Sequence, residues 1–265
     1  MTNTKSKIET LEIQSSCLNK KLKALIYLPE GYTKTKSYAV LYFLHGRSGD
    51  EQFLLRSNMH LAADRLIHEK RINPLIIVCP NIENSRGINS SPISKECVDS
   101  QGRIINIGRY EDYFISELIP VIDAAYATIN DSAARFVGGA SMGGYAALHY
   151  AFRHQNLFSK AGGHMPAIEL TLEEEDKQYF PDLSDWSKYN PIKIAECSEI
   201  RTDMKVYLDA GDQDEGQFYQ GCSILHKILI DKGVECQNHL FDGHHNEAYI
   251  KANIEKYLMF YGNII

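Results

Sequence analysis

The chain has 265 residues, a net charge of −6 and 44% hydrophobic residues, which suits one α/β domain with a sizeable core and excludes a disordered or low-complexity chain. The acidic balance leaves no basic stripe to neutralise phosphates, so nucleic acid is excluded as a partner, and "KSK" and "NKKLK" read as solvated strand ends. No window approaches about 18 apolar residues, which excludes a transmembrane helix and a membrane partner. The polar start "MTNTKSKIETLEIQSS" has no apolar signal region; with Met1 as the native start, the expectation is a cytoplasmic protein. The six cysteines, Cys17, Cys79, Cys97, Cys197, Cys222 and Cys236, are scattered without a CxxC pair, which argues against a disulfide framework and against a metal site.

In chain order, "KIETLEIQ" and "KKLKALIYL" alternate with period two and predict half-exposed antiparallel strands. "YAVLYFLHG" and "PLIIVCP" are continuous apolar runs, which suit strands covered on both faces. Between them "MHLAADRLIHEK" predicts a helix. Residues 81–108 are rich in Asn, Ser, Gly and Pro and read as one long loop, of a length that is often functional. "RYEDYFISELIPVIDAAY" predicts an amphipathic helix kinked or broken at Pro120. "ARFVGG" predicts a short strand, Met142–His154 a helix, and "FSKAGGHMP" a strand ending in a loop. Residues 166–200, acidic and aromatic with the single Trp186, read either as a lid over a site or as a solvated insertion. "DMKVYLDAG", a helix from Phe218 to Lys232 with Phe218, Cys222, Leu225 and Leu229 on one stripe, "VECQNHLF" and a helix from about Asn246 complete the chain. Repeated strand–helix units imply a single α/β domain spanning 1–265, with a mostly parallel sheet between helical layers.

Gly139-Ala140-Ser141-Met142-Gly143 fits G-x-S-x-G. The motif is weak alone, but here a short strand precedes it and a helix follows at once. On so tight a turn the serine is strained, the flanking positions must lack side chains, and the hydroxyl projects from the sheet edge beside a helix N-terminus. A glycine-rich connection with a capping serine is the bland alternative. A serine needs a base, and the base needs a carboxylate. "VYLDAGDQDEG" offers Asp209, Asp212 and Asp214 at a strand end. "LFDGHHNEAY" offers His244 and His245, with Asp242 beside them, after the next strand. His60, His68, His149, His154 and His226 fall on predicted helices and His239 on a strand, where packed or surface roles suffice. His164 follows a strand and is a candidate for lining the site. An oxyanion would take the Met142 N–H and a second donor from "FLHGRSG", the Arg47 N–H; otherwise His45-Gly46 is a plain strand-ending turn.

Together these pieces resemble the esterase D / tributyrin esterase / feruloyl esterase group of α/β-hydrolases, from about Leu22 to Tyr257. "VLYFLHGRSGDE" looks like the group's strand-HGxxG segment, "YEDYFISELIPVIDAAY" like its helix before the nucleophile strand and "GGASMGGYAAL" like its nucleophile elbow, Gly144 included. "LDAGDQDE" is similar to its G-x-x-D acid loop, which maps onto Gly211 and Asp214. "HNEA" resembles a histidine motif of some members and selects His245. Members often carry tryptophan a few residues further on, where Tyr249 or Ile250 stands here. The resemblance implies the α/β-hydrolase fold, a triad of Ser141, Asp214 and His245, and an oxyanion hole of the Arg47 and Met142 N–H groups. It implies no cofactor, and it allows a homodimer. The implied activity is hydrolysis of short acyl or acetylated and feruloylated carbohydrate esters. An acyltransferase, an S-formylglutathione thioesterase and a non-catalytic binding module are the alternatives. The Arg47 side chain is expected either to meet an anionic substrate group or to point to solvent.

Overall fold

Runs with no polar side become the middle of the sheet. In the computed structural model, which describes residues 5–263, Ala39–Leu44 (β3) and Leu75–Pro80 (β4) are buried along their whole length. Alternation sends Val40, Tyr42 and Leu44 into the apolar core on one face and Ala39, Leu41 and Phe43 into the core on the other, so helices must cover both faces. Lys7–Ser15 (β1) and Lys20–Leu28 (β2) pair antiparallel, and β2 pairs antiparallel with β4. Arg135–Ala140 (β7), Lys160–His164 (β8), Lys205–Gly211 (β9) and Glu235–Phe241 (β10) extend the sheet. Its eight strands run β1-β2-β4-β3-β7-β8-β9-β10, and every pairing from β4 to β10 is parallel. The first four residues, the head of the polar N-terminal stretch, lie outside the described residues.

The helical layers are Phe53–Arg56 (α1), Met59–His68 (α2), Tyr110–Asp112 (α3), Ile119–Ala125 (α4), Met142–Arg153 (α5), Leu183–Tyr189 (α6), Pro191–Cys197 (α7), Tyr219–Asp231 (α8) and Glu247–Gly262 (α9). Three local expectations need correction. The chain does not break at Pro120: it stays helical through it, and Tyr113–Leu118 just upstream winds as a π-helix. A π turn re-registers the ladder ahead of a residue that has no N–H to give. Residues 81–108 are not one loop, because Lys95–Val98 (β5) and Ile104–Ile107 (β6) pair antiparallel within them. Four-residue strands around Gly102, at φ +77°, are too short for their alternation to outweigh the polar composition. Phe218 precedes α8 rather than heading its buried stripe; only Cys222, Leu225 and Leu229 go into the core.

Because β3, β4, β7, β8, β9 and β10 are parallel, the loops after all six leave the same edge of the sheet. Loops from the carboxyl ends of parallel strands are where such folds place ligands. Here they carry residues 45–49, 81–108, Ser141, 165–169, Asp214 and His245. Residues 166–200 hold α6 and α7, with Tyr179, Phe180 and Trp186 in a small core shared with Ile88, Ile105, Ile107 and Tyr145. They pack on the β5–β6 segment and on α5 instead of standing free in solvent.

Candidate active site

Ser141 sits between β7 and α5 at φ 53°, ψ −116°, a left-handed position costing a non-glycine residue about 1–3 kcal/mol. Its neighbours over-determine the strain. The Ser141 N–H donates to the His164 carbonyl at 3.0 Å, and the Ser141 carbonyl accepts from the Tyr145 and Ala167 N–H groups at 3.0 Å each. A Cβ at Gly139 would lie 2.5 Å from the Gly143 carbonyl, and one at Gly143 2.4 Å from the Leu44 carbonyl oxygen. Neither atom can yield without moving backbone, so the turn and β3 can close only over glycine.

His245 bridges two partners. Its Nε2 lies 2.8 Å from the Ser141 Oγ and its Nδ1 3.0 Å from an Asp214 carboxylate oxygen. The Asp214 side chain is fully buried, while that of His245 is 21% exposed and open to the cavity. The other Asp214 oxygen accepts from the Gly216 N–H at 2.8 Å. Asp214 is therefore an acceptor on both sides, which fixes the imidazole with its proton on Nδ1 and leaves Nε2 to face the hydroxyl. The Phe218 ring stands edge-on to His245, centroids 5.1 Å apart. Asn246 caps α9, accepting from the Tyr249 N–H at 3.1 Å, and so pins the residue after His245.

The other candidates lie elsewhere. His244 turns outward to Glu215 at 2.8 Å. Asp212 accepts from the Gly243 N–H, and Asp242 from the Gln213 side chain. Asp209 and His164 are fully buried and bonded to each other at 2.8 Å, so His164 lies beneath the site and does not line it: its ring turns back into the core from the end of β8. Among the described residues no cluster of His, Cys, Asp or Glu has the arrangement to hold a metal ion.

The loop after β3 packs on Ser141; a Cβ on Gly46 would touch the Ala140 oxygen and the Ser141 Cβ at 3.4 Å. The Arg47 N–H makes no hydrogen bond among the described residues, and the Met142 N–H opens α5, where the first N–H groups have no intrahelical partner. Buried His45 braces the loop, its Nε2 accepting the Ile82 N–H at 3.0 Å and its Nδ1 lying 2.8 Å from the Gly46 carbonyl. The Ser48 N–H is held by Asn84 at 2.7 Å. The Arg47 side chain does not point to solvent, one of its two expected courses, and it lines the cavity over Ser141. It reaches across to Glu175 at 3.3 Å and Asp176 at 3.6 Å.

A cavity of about 410 Å³ opens over Ser141 and His245, walled by Arg47, Arg86, Glu169, Glu175 and Ile250. Sequence reading missed Arg86. Only 1% exposed, it is bonded to Glu169 and Asp176 and lies over the Tyr145 ring, 5.0 Å from its centroid. Its one sequence signal, a single arginine in a polar stretch, is what a solvated loop would also show. Its partners lie 83 and 90 residues away.

A family model described as "Putative esterase" matches residues 15–261. Esterase MT1326 of Mycobacterium tuberculosis is 32% identical over 146 residues, 55% of this chain and 29% of its own length. An endo-1,4-beta-xylanase/feruloyl esterase of Xylanibacter ruminicola is 29% identical over 204 residues, 72% of this chain and 26% of its own length. The chain thus spans about a third or less of these curated relatives' lengths. A solved ferulic acid esterase superposes over 100% of both chains with a TM-score of 0.84 at 23% identity, a likeness of fold: the α/β-hydrolase fold.

Proposed function

The chain belongs to the "Putative esterase" family, and from that premise we propose that it is a serine carboxylesterase of short-chain acyl or acetylated and feruloylated carbohydrate esters. The observation that carries the reading is the His245 imidazole, set 2.8 Å from the Ser141 Oγ and 3.0 Å from Asp214. In this reading His245 takes the Ser141 proton as Oγ attacks the ester carbonyl. Asp214 holds the ring and stabilises its positive charge. The tetrahedral oxyanion takes the Arg47 and Met142 N–H groups. His245 then protonates the departing alcohol, and water, deprotonated by the same ring, releases the acid from the Ser141 ester. Every step uses side chains or backbone of this chain. Residues 166–200 shape the cavity through Ala167, Glu169 and Glu175, which line it.

The test is Ser141→Ala. It should abolish hydrolysis of p-nitrophenyl acetate and labelling by a fluorophosphonate; an unchanged rate would overturn the reading. A panel of acetyl, butyryl, feruloyl and S-formylglutathione substrates then assigns the acyl group. Product partition with an added sugar acceptor separates hydrolysis from transfer.

A further inference from the structure

Beneath the Ser141 site lies a second polar cluster. The Asp209 carboxylate accepts from His164 Nδ1 at 2.8 Å through one oxygen, and from the Tyr249 and Tyr257 hydroxyls at 2.7 and 2.8 Å through the other. The Tyr261 hydroxyl lies 3.0 Å from His164 Nε2, and the Tyr257 ring stacks on the imidazole at 3.7 Å. Burial and the Asp209 charge push the Tyr249 and Tyr257 phenols well above their ordinary range, so both stay donors. All five side chains are buried. The backbone makes room for them: a Cβ on Gly138 or Gly162 would fall 2.0 or 1.8 Å from the Tyr261 hydroxyl. Two of the paired glycines in "VGGAS" and "AGGH" therefore serve this cluster and not the nucleophile turn.

A buried carboxylate is a poor source of stability, because apolar packing of the same volume does as well or better. Its position is more telling. The His164 carbonyl holds the Ser141 N–H at 3.0 Å, and the Asp209 carbonyl holds the Met165 N–H at 2.7 Å. Asp209 lies on β9, which runs directly into Gly211 and the Asp214 loop. Tyr249 stands in the first turn of α9, four residues after His245. One carboxylate on β9, the strand that runs into the acid loop, thus binds the start of α9, next to the base, and His164 of β8, whose carbonyl holds the Ser141 N–H.

We propose that Asp209 is a positioning residue for the reaction, which, through His164, Tyr249 and Tyr257, fixes the Ser141 turn, the Asp214 loop and the start of α9 relative to one another. The proposal rests on Ser141 being the nucleophile. Asp209 touches no substrate, so its loss misplaces the proton-transfer line and leaves the cavity wall in place. Misplacement of this kind costs rate steeply, up to about 100-fold for 1 Å.

The experiment compares Asp209→Asn, Tyr249→Phe and Tyr257→Phe with wild type on p-nitrophenyl acetate, each normalised to active sites titrated with a fluorophosphonate. Tyr27→Phe is the control. It loses an equally short tyrosine–carboxylate bond, to Asp64 at 2.7 Å, between β2 and α2 toward the opposite edge of the sheet. The expected result is a kcat per titrated site lowered roughly tenfold or more in Tyr249→Phe and Asp209→Asn with KM within about twofold, and an unchanged kcat in Tyr27→Phe. Should Asp209→Asn fail to fold, Tyr249→Phe decides. Wild-type kcat per titrated site in the folded variants overturns the proposal and leaves the nucleophile reading intact. A wild-type protein that takes no label at Ser141 overturns both.

Discussion

The Arg47 guanidinium lies 3.3 Å from Glu175, so the loop that carries the proposed oxyanion donor, the Arg47 N–H, is tied by its own side chain to the segment that walls the cavity. Glu175 also accepts from Arg103 at 2.6 Å and Gln101 at 2.8 Å. Burial alone would raise its carboxyl pKa, and Arg103 and Arg47 pull it below the usual range instead. A partly exposed ion pair of this kind contributes about 1 kcal/mol at most. Glu175→Gln should therefore lower kcat/KM by roughly fivefold with little change in thermal stability. High salt should reproduce part of the loss in wild type and none in the variant, since salt screens the pair. Steady-state kinetics in low and high salt check this; an unchanged kcat/KM at low salt would show that the clasp does not hold the loop.

Arg86 behaves differently because it is buried. It is 1% exposed, as is Asp176, with Glu169 at 12%. Removing one partner of such a cluster leaves charge without compensation and costs about 3–5 kcal/mol. Arg86→Ala should thus lower Tm by roughly 10 °C. Residues 166–200 should loosen before the sheet, visible as faster hydrogen exchange in α6 and α7. The triple variant R86M/E169Q/D176N removes all three charges together and should recover most of the Tm. A triple variant no more stable than Arg86→Ala would mean that the arginine acts by packing and not by charge.

What the sequence makes legible follows from range. Continuous apolar runs at 39–44 and 75–80 place the central strands, because alternation and burial are local properties. The glycines around Ser141 announce a tight turn for the same reason. By contrast, His244 and His245 are locally equivalent. Only Glu215 and Asp214, 29 and 31 residues upstream, turn one outward and the other toward Ser141. His164 reads as a lining residue because nothing near it in the chain reveals Asp209 or Tyr261. The β5–β6 pair and the π turn before Pro120 are hidden by their shortness. Arg86 is hidden because a lone arginine carries no sign of the carboxylates it will meet.

Gly143→Ala tests the clearance argument. Its Cβ would lie 2.4 Å from the Leu44 oxygen and 2.5 Å from the His45 oxygen, so either α5 or the loop after β3 must retreat. Overpacking of this kind costs about 1–3 kcal/mol, which a domain of this size survives. The same retreat separates the Met142 and Arg47 N–H groups, and a shift near 1 Å is worth about 100-fold in rate. The variant should fold, with native near-UV circular dichroism, and lose kcat by about two orders of magnitude. A variant with wild-type kcat would show that the glycine is dispensable to the turn.

Acid should weaken the fold in two steps. Burial holds the His45 imidazole below its usual 6.5, and its Nε2 accepts the Ile82 N–H, which only an unprotonated nitrogen can do. Below about pH 6.5 the unfolded chain takes up a proton at this position that the native state refuses. The unfolded state then binds more protons, so stability is complete above that pH and falls as pH falls, by up to about 1.4 kcal/mol per unit. The second step belongs to Glu111. Burial would raise its carboxyl, but His149, His154 and Arg153 hold it well below the usual 4.5. Its contribution is present above about pH 4.5 and disappears below it, as the unfolded carboxylate protonates first. Urea midpoints measured from about pH 8 to 4 should show the first decline beginning near 6.5 and a steeper one near 4.5. His45→Gln can accept the Ile82 N–H without titrating, so it should shrink the first decline, whose remainder belongs to the buried His149 imidazole, also held below 6.5 by burial, and keep the second. A variant whose first decline is undiminished would assign it to groups other than His45.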